Sequence, residues 1–531
     1  MYDRPPARAA RDGTAPLGRA DLLLALLLGT AIMVLLMQRP PTLGMADESY
    51  YLYESKRLYN GEILYRDVFD IVPPLAFWLM AGAYGLLGVD LSTARVVTTA
   101  VQAGIAIAIF VACRQLGVRR SLALLAAAAQ VGICWPMWMQ ATPHWVATLC
   151  MQGFLISLLA LPMAAPAARW AGPGLVLGLV VGTQHHQAPH FALAGLAVLI
   201  FDTCVAGPPG QRAAALWRRL LAYGLGTAAI VVPMFGFCIA QAGFDPVYTA
   251  LVHKPLFGYR TSFGTRWGSL LLLKKEYLAD WFPSVLRALP LVGVVMLAVA
   301  GWAGAWRDWA RARAGFVIAV VGGLAMASIA YYPDLIHFAY VVGVFFVGAA
   351  ALLEWSLRLL PERAAGGLAA AAAAAGIAYF GLHLHGVAER TAARHPARVA
   401  TRFGTIAAEA GDLHTTVVPA ILPLIDADPE RLLFTAPAFV SLYLLTDAQN
   451  PTPFQFVVAG YTDQEEFDRI FAALDARQAR HLVITWWPEK SIEPRLRDYV
   501  LRNYEAAVPD PPLSHLILRR RQTPLPATPS G

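Results

Sequence analysis

Apolar runs dominate this sequence, and their number and length restrict the chain to one class of fold. The first is Asp21–Met37, and others recur near 95–113, 121–136, 144–162, 171–184, 188–204, 219–241, 284–306, 314–331, 335–353 and 365–385. Each of these eleven runs is near the length a helix needs to cross ~30 Å of hydrocarbon. A helix satisfies every backbone N–H and C=O within one such segment, so a polytopic α-helical membrane protein of about 11 spans is expected. Composition agrees: 57% of the residues are hydrophobic and 15% charged, against roughly 25% charged in soluble domains.

Positive residues set the expected orientation. Residues 1–20 carry Arg4, Arg8, Arg11 and Arg19 and read as a cytoplasmic tail, with the first run an uncleaved signal anchor. Arg114, Arg119 and Arg120 share one loop, Arg212, Arg218 and Arg219 a second, Arg307, Arg311 and Arg313 a third, and Arg358 and Arg363 a fourth. The alternate connections Pro136–Pro143, Gln184–Pro189 and Tyr332–Asp334 have no Lys or Arg. The positive-inside rule turns these outward. The net charge of +7 is therefore explained by topology, and no nucleic-acid partner is expected.

Parity then fixes Pro73–Gly88. Counting it as a span would invert every later loop, so it reads as a re-entrant or interfacial helix inside a large first external loop, 38–94. The transmembrane domain is expected over 21–388 and a periplasmic α/β domain over 389–531. In that second part RLLFTAPAF reads as a strand entering a helix, Asn450-Pro451 as a turn, and Asp463–Arg480 as a helix. HLVITWW reads as a strand, Pro494–Tyr504 as a helix, and HLILRRR as a closing strand.

The candidate chemistry lies in polar groups that this topology gathers on the outer side. They are Asp47-Glu48, Tyr65-Arg66-Asp67 with Asp70, Gln184-His185-His186-Gln187, His253-Lys254, and Tyr332-Pro333-Asp334 with His337. Ionisable residues at membrane depth need a polar partner or a task. Asp47 has a plain reading as the N-cap of a helix Glu48–Asn60. That helix, with Tyr51, Leu52, Leu58 and Tyr59 on one stripe, is expected to lie flat at the interface. Adjacent His185 and His186 point in different directions on a helix, which disfavours a shared metal. Asp47-Glu48 offers a divalent metal two carboxylates with no third ligand nearby in sequence, so no cofactor or metal ligand is assigned. Cys113, Cys134, Cys150, Cys204 and Cys238 fall within or beside apolar runs with no paired spacing, which argues against a disulfide framework.

The run Asp47-Glu48-Ser49-Tyr50-Tyr51, then Gly61, then YRDVFDIVPPL, resembles the first external loop of the GT-C superfamily of membrane glycosyltransferases. The branch it is most similar to is the bacterial one grouped with protein O-mannosyltransferases and the lipid A aminoarabinose transferase. YPDLIH at Tyr332–His337 is similar to a late external motif there, and LYLLTDAQNPTPF to the soluble domain that follows the spans. The resemblance implies a polyprenyl-phosphate sugar as donor, a lipid, glycan or protein acceptor, transfer outside the cytoplasmic (inner) membrane, and inversion at the anomeric carbon. It puts Asp47 at the catalytic acidic position with Glu48 beside it. Many relatives carry a Lys just before the paired prolines, where this chain has Val72. Donor phosphate binding is then expected from Arg66, Arg95, His185 or His186, and substrate contacts from Tyr50, Asp67, Asp70, Lys254, Asp334 and His337.

Elementary chemistry is consistent with those roles. A sugar hydroxyl is a poor nucleophile, and a carboxylate within hydrogen-bond reach takes its proton as attack proceeds. A lipid phosphate leaves readily and needs positive or N–H donors rather than a strong acid. The rival class is a transporter or flippase of lipid-linked glycans. It predicts internal repeats with interrupted helices in both halves, and the sequence has no internal repeat.

Overall fold

The computed structural model describes residues 17–44, 47–207, 209–258, 281–437, 439–457, 462–484, 493–507 and 516–524. Arg4, Arg8 and Arg11 of the expected tail, and Trp486-Trp487 of the β-rich run, lie outside the described residues.

All eleven apolar runs coincide with helix. α1 (Arg19–Leu36) is followed by two short helices of the first loop, α2 (Asp47–Tyr59) and α3 (Leu75–Leu87). Then come α4 (Leu91–Gln115), α5 (Arg120–Cys134), α6 (Pro143–Leu159), α7 (Ala171–Thr183), α8 (Ala188–Ala206) and α9 (Arg212–Ala242). Beyond a π-helical stretch, Thr249–Gly258, the membrane part continues through helices Trp281–Ala288, Pro290–Ala305, Trp309–Ala327, Leu335–Val341, Gly343–Leu357 and Glu362–Arg394. Among the described residues eight helical segments are long and apolar enough to cross a membrane, and the pair Leu335–Val341 and Gly343–Leu357, bent by 58°, makes a ninth. α6 and α7, with 17 and 13 residues, are shorter than that. α3 also has 13 residues, or about 20 Å of helix, which is too little to cross the hydrocarbon.

Small residues let α7 and α9 pack backbone to backbone. A Cβ on Gly174 would sit 2.1 Å from the Tyr223 carbonyl oxygen, and one on Gly226 would sit 2.3 Å from that of Ala171. Close approach of this kind is how helices associate where lipid removes the hydrophobic driving force.

Ionic clusters occupy both ends of the bundle, which corrects the expectation that polar groups gather at one. Arg95 and Arg114 both lie on α4, separated by about 28 Å of helix. At the Arg114 end, Asp21 accepts from Arg114 Nε (3.0 Å) and Arg120 Nε (2.8 Å), and Glu354 from Arg119 Nε (2.8 Å) and Arg358 Nε (3.1 Å). Asp202 takes two bonds from Arg313, at 2.7 and 2.9 Å. Several of the loop arginines that mark topology thus carry acidic partners from neighbouring helices, which lowers the cost of holding them at the bundle edge.

The C-terminal region is a small sheet structure. A hairpin of β1 (Ala397–Thr401) and β2 (Gly404–Ala408) turns at Gly404, whose φ of +94° favours glycine. β3 (Leu433–Ala436), β4 (His481–Ile484), β5 (Tyr504–Ala506) and β6 (Leu516–Arg520) form a sheet in the order β3-β4-β6-β5. β3 and β4 are parallel, Leu433 opposite His481, and the other pairs are antiparallel. Their crossover contains helix Gln464–Ala476, opened by a capping box of Asp463 and Glu466.

This region grips the first loop. Phe69 N donates to Pro453 O (2.9 Å), Ala407 N to Pro41 O (2.9 Å), Asn450 N to Tyr53 Oη (2.8 Å) and Arg57 to Thr452 O (3.0 Å). Tyr53 stacks on Tyr443 with ring centroids 4.7 Å apart. α2 is consequently not a surface helix. Residues Glu48–Ser49 and Tyr51–Arg57 are all buried, because the C-terminal region supplies partners for the polar stripe that would otherwise face water.

Candidate active site

Asp47 opens α2, so its carboxyl sits at the helix end where free N–H groups and the helix dipole favour an anion. It is accessible yet surrounded by protein. Burial raises its pKa above the ordinary carboxylate value, with His337 opposing and Asp334 reinforcing the shift. A carboxyl held in this way is a stronger base than an exposed one.

Asp334 and His337 come from the broken span. Asp334 caps the short helix Leu335–Val341 by accepting from His337 N at 2.8 Å, and the same oxygen lies 2.8 Å from His337 Nδ1. Hydrogen bonding to His337 outweighs burial and holds Asp334 below its usual range. His337 makes edge contacts with His144, Tyr331, Tyr332 and Tyr340. The His144 ring stacks on Tyr340 at 4.8 Å, and its Nδ1 lies 3.3 Å from Gln184 Nε2. Tyr340 is in electrostatic reach of Asp47.

The α7–α8 connection closes this recess. His186 packs edge-on to Tyr331 at 4.7 Å, and His185 stands edge-on to His186. Burial pushes the His186 imidazole down to about 3 and lowers His185 as well, so both rings are neutral, each with one N–H, and that of His185 is engaged by the Leu251 backbone. His185 Nδ1, His186 Nε2, Gln187 Oε1 and His190 Nδ1 are buried without a hydrogen-bond partner. Unpaired buried polar atoms are costly, and four within six residues mark a place built to meet a polar ligand.

Glu48 has a different environment from Asp47. It is fully buried, pairs with Arg95 (Nη2–Oε2 3.1 Å), and accepts from Ala141 N (2.7 Å) and Gly44 N (2.8 Å). Burial alone would raise it, but Arg95 and these bonds bring it below the ordinary value. Both residues are occupied with each other. Their geometry is that of a pin between α2, α4 and the loop before α6.

The remaining sequence candidates are engaged by other partners. Arg66 binds its neighbour Asp67 through Nε and Nη2, both at 2.9 Å, near the C-terminal end of α2. Asp70 is buried against Glu54, hydrogen-bonded to it and to Val72 N (2.8 Å). Tyr50 packs on Phe456 at 4.8 Å. Lys254 is buried between Asp463 (3.2 Å) and Glu466 (2.6 Å), tying the π-helical stretch to the C-terminal region. Of the sequence candidates, then, Asp47, His185, His186, Asp334 and His337 converge, while Arg66, Asp67 and Lys254 lie at the junction with the C-terminal region and Asp70 binds within the first loop.

Gln184, of the candidate group Gln184–Gln187, joins the site through His144, and His144, Tyr331 and Tyr340 join it without having been candidates. The available signal was position: His144 follows the uncharged outward connection Pro136–Pro143, and Tyr340 lies one helical turn beyond His337. Among the described residues, no group of three or more His, Cys, Asp or Glu is placed to hold a metal ion.

No protein-family model and no curated protein matches this sequence. Solved structures do match its fold. ArnT from Cupriavidus metallidurans bound to undecaprenyl phosphate superimposes with a TM-score of 0.57 at 16% identity, covering 94% of this chain and 98% of that one. The oligosaccharyltransferase of Archaeoglobus fulgidus has a TM-score of 0.50 at 13% identity, over 94% of this chain and 75% of its own. The mycobacterial arabinofuranosyltransferase AftD gives 0.50 at 14% identity, over 96% of this chain and 40% of its own. At these identities the likeness concerns architecture. Eight or more apolar helices, a first loop clasped by a small C-terminal sheet, and these neighbours together give the chain a GT-C fold.

Proposed function

We propose that the chain is an inverting glycosyltransferase that moves a sugar from a polyprenyl-phosphate donor to a lipid, glycan or protein acceptor. The observation that carries this reading is one recess. There a carboxyl with a raised pKa, Asp47, faces an Asp334–His337 pair beside buried imidazoles that each keep one ring nitrogen unpaired. A neighbour of the same fold is described with undecaprenyl phosphate bound, which supports a lipid-linked donor.

In this scheme Asp47 takes the proton of the acceptor hydroxyl as its oxygen attacks the anomeric carbon. The bond from that carbon to the phosphate oxygen breaks, and the polyprenyl phosphate departs with the electron pair. His186 donates its N–H group to the leaving phosphate with His185 beside it, replacing the lysine that Val72 displaces. Arg95 is left out because Glu48 holds it in the interior, and Arg66 because it lines a cavity at the other end of α2. Asp334 orients His337, which stabilises the Asp47 carboxylate before it accepts the proton. No metal or other cofactor is invoked. The reading places the site at the periplasmic face of the inner membrane, with residues 1–20 cytoplasmic, the transmembrane domain over 21–388 and residues 389–531 periplasmic.

The test is transfer of radiolabelled sugar from a panel of polyprenyl-phosphate sugars, using membranes that contain the wild-type chain or Asp47→Asn. Transfer by wild type alone is the expected result. Equal transfer by both would remove Asp47 as base, and no transfer from any donor would favour a transporter of lipid-linked glycans.

A further inference from the structure

A second cavity, of about 900 Å³, lies where the C-terminal end of α2 and the following loop meet the C-terminal region. Tyr53, which lines the cavity, and Asp47 lie on the same helix, so the cavity wall starts about 9 Å along α2 from the candidate base. Six basic side chains line it: Lys56, Arg57, Arg66, Arg402, Arg431 and Arg477. Three acidic ones, Glu62, Asp67 and Asp447, also line it, and Asp426 and Glu430 pair with its arginines from outside the wall, so each of the six cations has a carboxylate partner and the surplus is a single positive charge. The rest of the wall is largely the polar turn Ala448–Pro453.

Lys56 pairs with Asp447, and the five arginines fall into two sets. Arg57 and Arg431 are held in place: Arg57 donates to Glu62 (2.8 Å), Asp67 O (2.8 Å) and Thr452 O (3.0 Å), and Arg431 to Asp426 (3.0 Å) and Asp447 O (3.1 Å). Arg431 and Asp447 both have left-handed backbones, with φ of 53° and 54°. Non-glycine residues keep that conformation only where the surroundings over-determine it, as these bonds do. Arg66, Arg402 and Arg477 form the rim. Their side chains are 51, 53 and 48% exposed, and each meets a carboxylate in Asp67, Asp426 and Glu430. A guanidinium has five N–H donors, so each rim arginine can meet a second anion without leaving the first.

We propose that this cavity is a second binding site, selective for an anionic saccharide, and that it holds a phosphorylated sugar segment of the acceptor while another part reaches Asp47. The size suits two sugar rings better than a lone ion. Rigid inner arginines supply position, rim arginines supply charge, and the carbonyls of the turn accept from sugar hydroxyls. The acceptor role rests on the glycosyl-transfer reading; the binding itself does not.

Calorimetry on the full-length chain in detergent separates the two, with glucose 1,6-bisphosphate, maltose and inorganic phosphate as probes. The bisphosphate is expected to bind at least ~10-fold more tightly than either other probe. The rim variant Arg402→Ala/Arg477→Ala should weaken it by roughly 10-fold, and Asp47→Asn should leave it unchanged. Equal binding of maltose would overturn anion selectivity, and equal binding of inorganic phosphate would overturn the saccharide. If the double variant does not fold, Arg66→Gln takes its place with an expected loss of about 3-fold. Unchanged affinity in the folded rim variant sinks the site. Retained binding in a chain that transfers no sugar upholds the site and removes the transfer reading alone.

Discussion

His337 and Asp334 are joined twice through one oxygen: Asp334 Oδ1 lies 2.8 Å from the His337 backbone nitrogen and 2.8 Å from its Nδ1. The first bond caps a helix and the second orients an imidazole, so the bend in the broken span and the aim of the ring have one cause. That ring bears directly on Asp47.

His337→Ala is therefore expected to lower kcat about 100-fold, within the range of a lost proton-handling partner. It should also move the acid limb of the activity profile. His337 draws the Asp47 pKa down, so its removal lets the limb shift to higher pH. A pH–rate profile of the variant checks this, and a limb that stays in place would detach His337 from Asp47.

Glu48→Gln tests a structural role for the neighbouring carboxylate. The change leaves Arg95 largely buried without its counter-ion, at a cost of about 3–5 kcal/mol. A marked fall in Tm is expected, while transfer per folded molecule stays within a few-fold of wild type. Thermal unfolding beside activity normalised to folded protein separates these. Loss of activity at unchanged Tm would give Glu48 a chemical role instead.

Much of this arrangement was legible in the sequence. Spans are written as uninterrupted apolar runs, and carboxylates beside them stand out because lipid does not tolerate them without a reason. Asp47, His186, Asp334 and His337 were found that way. Partner choice was not legible. Nothing local distinguishes Asp47 from Glu48, and their different environments depend on Arg95 and Ala141, which are 47 and 93 residues from Glu48. The burial of α2 was hidden for the same reason. Its amphipathic stripe reads equally as a membrane surface or a protein interface, and the residues that decide it, Tyr443–Thr452, lie nearly 400 positions downstream.

Glu54 of α2 and Asp70 are buried against each other and hydrogen-bonded. Burial and the adjacent Asp70 raise Glu54 well above the ordinary carboxyl value of 4.5, and burial raises Asp70. A carboxyl whose folded pKa is raised binds its proton more tightly than the unfolded chain does. Stability is thus fully present below about 4.5 and declines as pH rises toward the folded pKa. Glu54→Gln puts an N–H donor where the proton sits and should flatten that decline, gaining about 1–2 kcal/mol at pH 8. Tm measured from pH 5 to 8 for both chains checks it. Parallel curves would show that the pair does not titrate.

Lys254 closes the account of how the C-terminal region is held. Its ammonium is buried between Asp463 and Glu466, and those residues form the capping box of helix Gln464–Ala476. Lys254→Met keeps the length and apolar stem but removes the charge, leaving Glu466 buried beside Asp463 without a counter-ion. The expected cost is about 3–5 kcal/mol, concentrated at that contact because the pair is local. The first turn of the helix should lose protection first, since its cap depends on both carboxylates staying ionised. Hydrogen exchange is the appropriate measurement: residues 464–468 are expected to exchange faster in the variant, while α2, held by Thr452 and Asn450, keeps its protection. Equal loosening of α2 would mean that Lys254 supports the whole junction rather than one helix.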